Sequence, residues 1–399
     1  MKRAAHALEA ELSRLEAAQL RRRRITAEGF AEPGSRALLR VRGRTLVDFS
    51  SNDYLGLARH PALAAAMRAA ADAAGAGSAA SHLVTGHGAE HQQLEEELAA
   101  FTGRERALLF STGYMANLAV VSALAGRGER VVLDRLSHAS LIDGARLSGA
   151  DLKRYAHADA RAAAHFVDED PEKTALIGTD GVFSMDGDLA PVAELAQLAR
   201  RAGAWLVVDD AHGLGVVGAR GGGTLEAQGV PGAEVPVLIG TLGKAFGSFG
   251  AFVAGEAALV DFLQQKARSY IYTTALPQPV AAASRAALHV ARNEGWRRTH
   301  LAALIERFRR RALGCGVPLA ASRTAIQPVM LGSEAAVLAA QRALEAAGFC
   351  VVAIRPPTVP PGSARLRVTL TAAHTEAQVD RLTDALAAAC APRAAPGAA

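Results

Sequence analysis

The 399-residue sequence predicts an α/β chain: a mainly parallel central sheet covered by helices, followed by a small α+β C-terminal domain. Three observations predict it. Continuous apolar runs of strand length recur, namely ALLF, ERVVLDRL, TALIGTDGVF, AWLVVDDAHG and PVLIGTLG, each ending on small or polar residues. Strands buried on both faces read this way. Helical stretches HPALAAAMRAAADAAG and AEHQQLEEELAAFTG precede them and VAELAQLARRAG lies between them, the rhythm of βαβ units. Past residue 290 the texture changes. AIQPVMLG, FCVVAIR and ARLRVTLTAAH read as strands, and EAAVLAAQRALEAAG and EAQVDRLTDALAAA as helices.

Taken in order, residues 1–24 read as one amphipathic helix with Leu8, Leu12, Leu15 and Leu20 on a face. The glycine- and proline-containing AEGFAEPGS follows, then the short strand-like pieces RALLRVRG and TLVDFSSNDYLGL. The predicted organisation is a helix and arm over 1–45, a large α/β domain over 46–290, a small domain over 291–390 and a disordered tail over 391–399.

Half the residues are apolar and 21% are charged, which places the chain among globular proteins. Abundant alanine reflects composition bias and helix propensity, not a repeat. Part of the net charge of +5 sits in Arg21, Arg22, Arg23 and Arg24. No stacking aromatics interleave with that run, so it predicts no nucleic-acid contact. A small anionic substrate suits it better. No stretch reaches the roughly 18 uninterrupted apolar residues that a membrane span needs. The N-terminus lacks an apolar signal core and carries Glu9, Glu11 and Glu16. Cys315, Cys350 and Cys390 are odd in number and far apart, which argues against a disulfide framework or a zinc site. A cytoplasmic protein with no metal is expected.

The chemistry centres on Lys244, a lysine between glycines in VPVLIGTLGKAFGSFGAF. Burial favours the neutral amine, the form that makes Schiff bases. Upstream, AWLVVDDAHG ends a strand on Asp209 and then reaches His212. A buried aspartate needs a cation or strong donors. A lysine Schiff base together with an aspartate at a pyridinium nitrogen is the protein side of pyridoxal-phosphate chemistry. His138 in DRLSHAS and His212 each follow an aspartate by a few residues, and a flat imidazole can stack on a flat ring. FSTGYMAN follows a strand and opens a helix, so the amides of Gly113 and Tyr114 face a positive helix end, a natural phosphate seat. With Ser184 and Thr241, these residues lie at the C-terminal ends of strands, where ligands bind in such sheets.

Two motifs are decoys. GLGVVG, Gly213 to Gly218, matches GxGxxG, but a glycine-rich loop follows where a dinucleotide site requires a helix. Lys244 is not a Walker lysine, because Leu238 occupies the upstream glycine position and Ala245 the Ser/Thr position.

Together FSSNDYLGL, DRLSHAS, GVFSMDG, VDDAHG, TLGKAFG and IRPPTVP resemble the α-oxoamine synthases, fold-type-I pyridoxal-phosphate enzymes, over nearly the whole chain. The resemblance implies pyridoxal 5'-phosphate as cofactor and a homodimer with active sites at its interface. It implies that Lys244 carries the cofactor and moves protons, that Asp209 pairs with the ring nitrogen, and that His138 stacks on the ring. His212 and Ser184 would contact the cofactor, and Thr241 with the amides of Gly113 and Tyr114 would hold its phosphate. Thr273 or Thr274, in YIYTTALP, resembles a threonine that reaches the partner subunit's phosphate. Arg21, Asn52, His138, Arg355 and Thr358 match substrate positions, with the register of Arg21 ambiguous among its four neighbours. Asp180 stands where some members carry glutamate and is left out of the candidate set. RPPTVP at 355–360 points, within the family, to condensation of L-alanine with a pimeloyl thioester carried on coenzyme A or on an acyl carrier protein. The alternative is a member using glycine and a shorter acyl-CoA.

Overall fold

The computed structural model describes residues 2–29 and 37–390, so the proposed tail over 391–399 and part of AEGFAEPGS lie outside the described residues. Two compact units emerge: residues 52–184 with 188–300, and residues 1–51 with 185–187 and 301–399.

The larger unit is built on a seven-stranded sheet. Its order is Arg106–Phe110, Ala251–Gly255, Val237–Thr241, Trp205–Asp209, Thr174–Asp180, Arg130–Asp134, Asp151–Tyr155. Ala251–Gly255 runs antiparallel to both neighbours, and the other six strands are mutually parallel. Two strands escape a hydropathy reading. Asp151–Tyr155 is an edge strand whose DLKRY sequence is mostly half-buried, so it lacks an apolar run. Ala251–Gly255 follows the glycine-rich turn after Lys244 too closely to separate by periodicity.

One face of the sheet is sealed by the helix Gly113–Leu124, whose Ala116, Ala119, Val120 and Val121 pack into a cluster with Leu133, Val207, Ile239 and Val253. Side chains alternate faces along a strand. Asp209 therefore shares the face of Val207, under this helix, while its neighbour Asp210 points to the other. The strand-end doublet in VVDD is split in this way into two separate jobs.

In the smaller unit the N-terminal helix spans Lys2–Ala17 rather than residues 1–24. Gln19 takes a left-handed conformation (φ 57°), and the amides of Leu20 and Arg21 both turn back to the Leu15 carbonyl. The four arginines thus lie beyond the helix end. Leu8 and Leu12 are exposed, at 67% and 42%, so the apolar stripe is not a core face here. Two three-stranded sheets follow. One joins Leu38–Val41, Arg44–Asp48 and Phe349–Cys350, and the other Ile326–Gly332, Ala364–Thr369 and Val352–Ile354. FCVVAIR is thus two strands in different sheets, with Val351 between them. The helices Glu334–Ala346 and Glu376–Cys390 complete the α+β pattern.

Candidate active site

Parallel strands of the larger unit end on Asp134, Asp180, Asp209 and Thr241, and the candidate site lies at those ends. Asp209 and Asp180 sit side by side in register. Asp209 is 7% exposed. Its Oδ2 accepts from Asn117 Nδ2 at 2.6 Å and its Oδ1 from the Ala211 amide at 3.1 Å. Asn117 lies one turn into the helix that Gly113 opens, on the same inward side as Ala116, Val120 and Val121. Thr112 caps that helix by accepting from the Met115 amide, leaving the amides of Gly113 and Tyr114 at its positive end.

Asn117 also donates to Ser140 Oγ at 2.8 Å, and Ser140 Oγ lies 2.6 Å from His138 Nδ1. The His138 backbone amide donates to Asp180 Oδ1 at 3.0 Å. The side chains of Asp209, Asn117, Ser140 and His138 are therefore one network. Burial lowers the His138 pKa, opposed by the Asp209 charge, which favours the neutral imidazole. Tyr114 meets His138 edge-on, with ring centres 6.4 Å apart, and its hydroxyl donates to Asp143. Burial, and then the Asp209 charge, hold the Asp180 carboxyl well above the usual range. Asp210, on the opposite face, accepts from the Thr224 amide and hydroxyl, both at 2.6 Å, and burial pushes it up to about 6. It anchors the glycine-rich loop.

Lys244 Nζ lies 2.8 Å from His212 Nε2. The other ring nitrogen, Nδ1, lies 2.6 Å from Tyr54 Oη, and Tyr54 Oη donates to Asn52 Oδ1 at 3.2 Å. The Lys244 charge acts on both His138 and Asp180, which ties this row to the Asp209 network. Thr241 donates its hydroxyl to the Gly250 carbonyl and accepts from the Gly243 amide, shaping the turn that carries the lysine. The structure thus brings together Lys244, His212, Asn52, Asp209 and His138. Tyr54, Asn117 and Ser140 were not foreseen. All three lie inside quoted motifs (NDYLGL, FSTGYMAN, DRLSHAS), but only the fold points them inward. Ser184 is half-buried just past the strand ending at Asp180.

Thr274 is exposed, Thr273 half-buried, and Thr274 bridges to Ser81. Beside it lies a feature that spacing did not reveal. One ring nitrogen each of His82, His87 and His91 fall within 4.8 Å of one another. His91 donates Nε2–H to the Leu276 carbonyl at 2.6 Å and accepts the Gly88 amide at Nδ1, so it keeps no lone pair for an ion. Burial and the neighbouring histidines push His82 down to about 3. His91 thus holds the Leu276 carbonyl, while His82 and His87 meet through their Nδ1 atoms at 2.9 Å.

In the smaller unit, Arg21 pairs with Glu16 at 3.4 Å, whereas Arg22 donates to Thr358 Oγ1 at 2.8 Å. Arg355 donates to the Gln19 carbonyl. Arg21 and Arg355 share a cavity of about 520 Å³ with Arg23, Arg24 and Arg342. Among the four consecutive arginines, the one that touches Thr358 is Arg22.

The family model for aminotransferase class I and II matches residues 44–386. The chain belongs to the class I and II aminotransferase family. It is 60% identical to the 8-amino-7-oxononanoate synthase of Methylococcus capsulatus, over 87% of this chain and 90% of the relative. With the 8-amino-7-oxononanoate synthase of Pseudomonas putida (strain KT2440) it shares 55% over 95% and 96%. Among solved structures, the serine palmitoyltransferase of Sphingomonas wittichii superposes with a TM-score of 0.90 at 32% identity, covering 96% of each chain. An 8-amino-7-oxononanoate synthase from Francisella tularensis gives 0.75 at 31%, over 86% of this chain and 97% of that one. A structure of SPT with a PLP internal aldimine superposes with a TM-score of 0.89 at 31% identity, covering 96% of each chain. The residues here fit that cofactor: a lysine amine, a buried carboxylate on the same sheet edge, a flat neutral imidazole, and free-ended helix amides for a phosphate.

Proposed function

We propose that the protein condenses L-alanine with a pimeloyl thioester, releasing carbon dioxide and the thiol carrier, to give 8-amino-7-oxononanoate for biotin biosynthesis, with pyridoxal 5'-phosphate as cofactor. The observation that carries this reading is the convergence of Lys244, His212, Asp209 and His138 at one sheet edge, in a chain so similar to synthases of that name.

Bound pyridoxal phosphate supplies an electron sink for the charge left when the amino acid loses its α-proton. The rest is the work of this chain. Lys244 Nζ holds the cofactor, then takes and returns the α-proton. The Asp209 carboxylate, oriented by Asn117, holds a proton on the ring nitrogen. His138 would stack on the ring, and His212 and Ser184 would contact the cofactor. Thr241 and the amides of Gly113 and Tyr114 would hold the phosphate, with Thr274 serving the partner subunit of a homodimer. Arg355 takes the amino-acid carboxylate, for which a planar guanidinium is suited. Arg21, Asn52 and Thr358 complete the substrate side. The large and small domains are proposed to divide near residues 46 and 290, and the enzyme to work in the cytoplasm. Among the described residues no helix is long and apolar enough to cross a membrane.

The test is an absorption spectrum of the purified protein with pyridoxal phosphate, followed by thiol release on adding L-alanine and pimeloyl-CoA. A visible cofactor band and alanine-dependent thiol release support the reading. Thiol release with glycine and a short acyl-CoA, but not with alanine, would move it to a sister enzyme. No cofactor band would sink it. Repeating the assay with pimeloyl-acyl carrier protein decides the carrier.

A further inference from the structure

Asp180 is the strand-end carboxyl that the proposed reaction leaves without a task. It is 4% exposed and pairs in register with Asp209 on the neighbouring parallel strand. Both side chains therefore rise from the same face, from backbones about 4.8 Å apart. Among the described residues its side chain accepts one hydrogen bond, from the His138 backbone amide at 3.0 Å to Oδ1. An amide only donates, and a carboxylate or the carbonyl of a neutral acid accepts equally well, so this link holds in either charge state. The strand end beneath it is fixed. The next amide, Gly181, donates to the Asp209 carbonyl at 2.8 Å. A Cβ on Gly181 would stand 2.4 Å from Asp210 Oδ1 and 2.7 Å from Thr224 Oγ1, so the backbone is close-packed there.

His138 heads the helix Ala139–Ser148, and its ring leans on the first turn of that helix, with Nδ1 2.6 Å from Ser140 Oγ. That contact orients the ring on its helix but not the helix on the sheet. Besides apolar packing, two polar links do the latter. Asn117 donates both to Ser140 Oγ and to Asp209 Oδ2, and Asp180 accepts the His138 amide. Asp209, Asn117, Ser140, His138 and Asp180 thus form a closed circuit, completed by the strand pairing of Asp180 with Asp209. We propose that Asp180 is a positioning residue that sets the place of His138 relative to Asp209, through the length of its side chain rather than through its charge. Its part in turnover rests on the function proposed above. The imidazole that would stack on the cofactor and the carboxylate that would meet its ring nitrogen are then spaced by one sheet register. Burial, and then the Asp209 charge, hold the Asp180 carboxyl well above the usual range, against the His138 amide and the Lys244 charge, so a negative charge is not what it supplies.

The test begins with the cofactor-free protein. Asp180→Ala removes the acceptor, so the His138 amide should exchange its hydrogen roughly tenfold faster than in the wild type. Asp180→Asn keeps an oxygen at the same reach and should restore slow exchange. In the loaded enzyme, Asp180→Ala should lower kcat roughly tenfold to a hundredfold, the scale of misplacing a functional group by about an ångström. Asp180→Asn should recover most of that loss. Asp180→Glu keeps the carboxyl but carries it one methylene further, so it should not recover it. Comparing Asn with Glu separates length from charge and keeps the test open should Asp180→Ala fold poorly; thermal melts check each variant. Equal exchange of the His138 amide in wild type and Asp180→Ala would overturn the proposal. So would a well-folded Asp180→Glu that matches or exceeds Asp180→Asn in kcat. The exchange readout precedes cofactor and substrate, so a protein that shows it yet makes no 8-amino-7-oxononanoate refutes the functional reading alone.

Discussion

Asp209→Asn isolates the charge at the sheet edge. The substitution keeps size and shape, and the amide oxygen can still accept from the Ala211 amide or from Asn117, which now hold Asp209 at 3.1 and 2.6 Å. What disappears is the negative charge, and with it the partner for a protonated ring nitrogen. The carboxylate is 7% exposed, so little water is at hand to replace it. Removing one partner of a buried charge pair costs about 3–5 kcal/mol, which corresponds to roughly a hundredfold to several-thousandfold in rate. Asp180 has its pKa raised in part by the Asp209 charge, so it should ionise more readily in the variant, but its oxygen already accepts from the His138 amide. The assay is kcat/KM for thiol release from pimeloyl-CoA with L-alanine at saturating cofactor, alongside a thermal melt. A variant that melts normally and retains kcat/KM within about tenfold of the wild type would refute the charge argument.

Lys244→Ala should lower turnover by at least about a thousandfold while circular dichroism and melting show an intact fold; substantial residual activity would contradict its role. Gly247→Ala should destabilise by about 1–3 kcal/mol in urea titrations, because its Cβ would meet Ala58 N at 2.2 Å and the backbone is left-handed. His157 lies 3.1 Å from Asp134 and 2.8 Å from Asp188; burial works against its charge, but those two hydrogen bonds prevail and raise it to about 10. The folded state therefore binds the proton more tightly than the unfolded one. Its stabilisation is fully present below the ordinary histidine value of 6.5 and is lost as pH rises through about 10. Urea titrations from pH 6 to 10.5 should show a loss on the order of 1–2 kcal/mol, after screening at half-exposed Asp188, that His157→Gln abolishes; equal pH dependence in both proteins would exclude it.

Local pattern alone made much of this protein legible. Buried parallel strands need unbroken apolar runs, because both faces are covered, and such runs placed Asp209, Thr241 and Lys244 at or just past strand ends. Alternation along Trp205–Asp209 further sent Asp209 and Asp210 to opposite faces, a consequence of strand geometry that needs no partner. The N-terminal helix shows the limit. Its leucines keep helical spacing, yet the chain turns left-handed at Gln19 and Leu8 and Leu12 stay exposed, since periodicity records amphipathicity and not what covers it. The edge strand Asp151–Tyr155 is invisible for the converse reason: one neighbour and a half-exposed face relax the demand for apolar residues.

Residues distant in sequence became a site only through packing. Asn117 reaches Asp209 because the helix opened by Gly113 lies on the face that Asp209 shares with Val207. Tyr54 reaches His212 because Gly247 lets the lysine turn settle on the 57–58 backbone. The three histidines near Thr274 meet for a similar reason, joined by a turn and a helix start, and their hydrogen bonds rather than their spacing decide that they are not an ion site. The sequence determined which chemical groups stand at strand ends, because backbone periodicity is local. Which of them touch, and with what charge, depended on tertiary contacts, since packing and desolvation are properties of the surroundings and not of the residue.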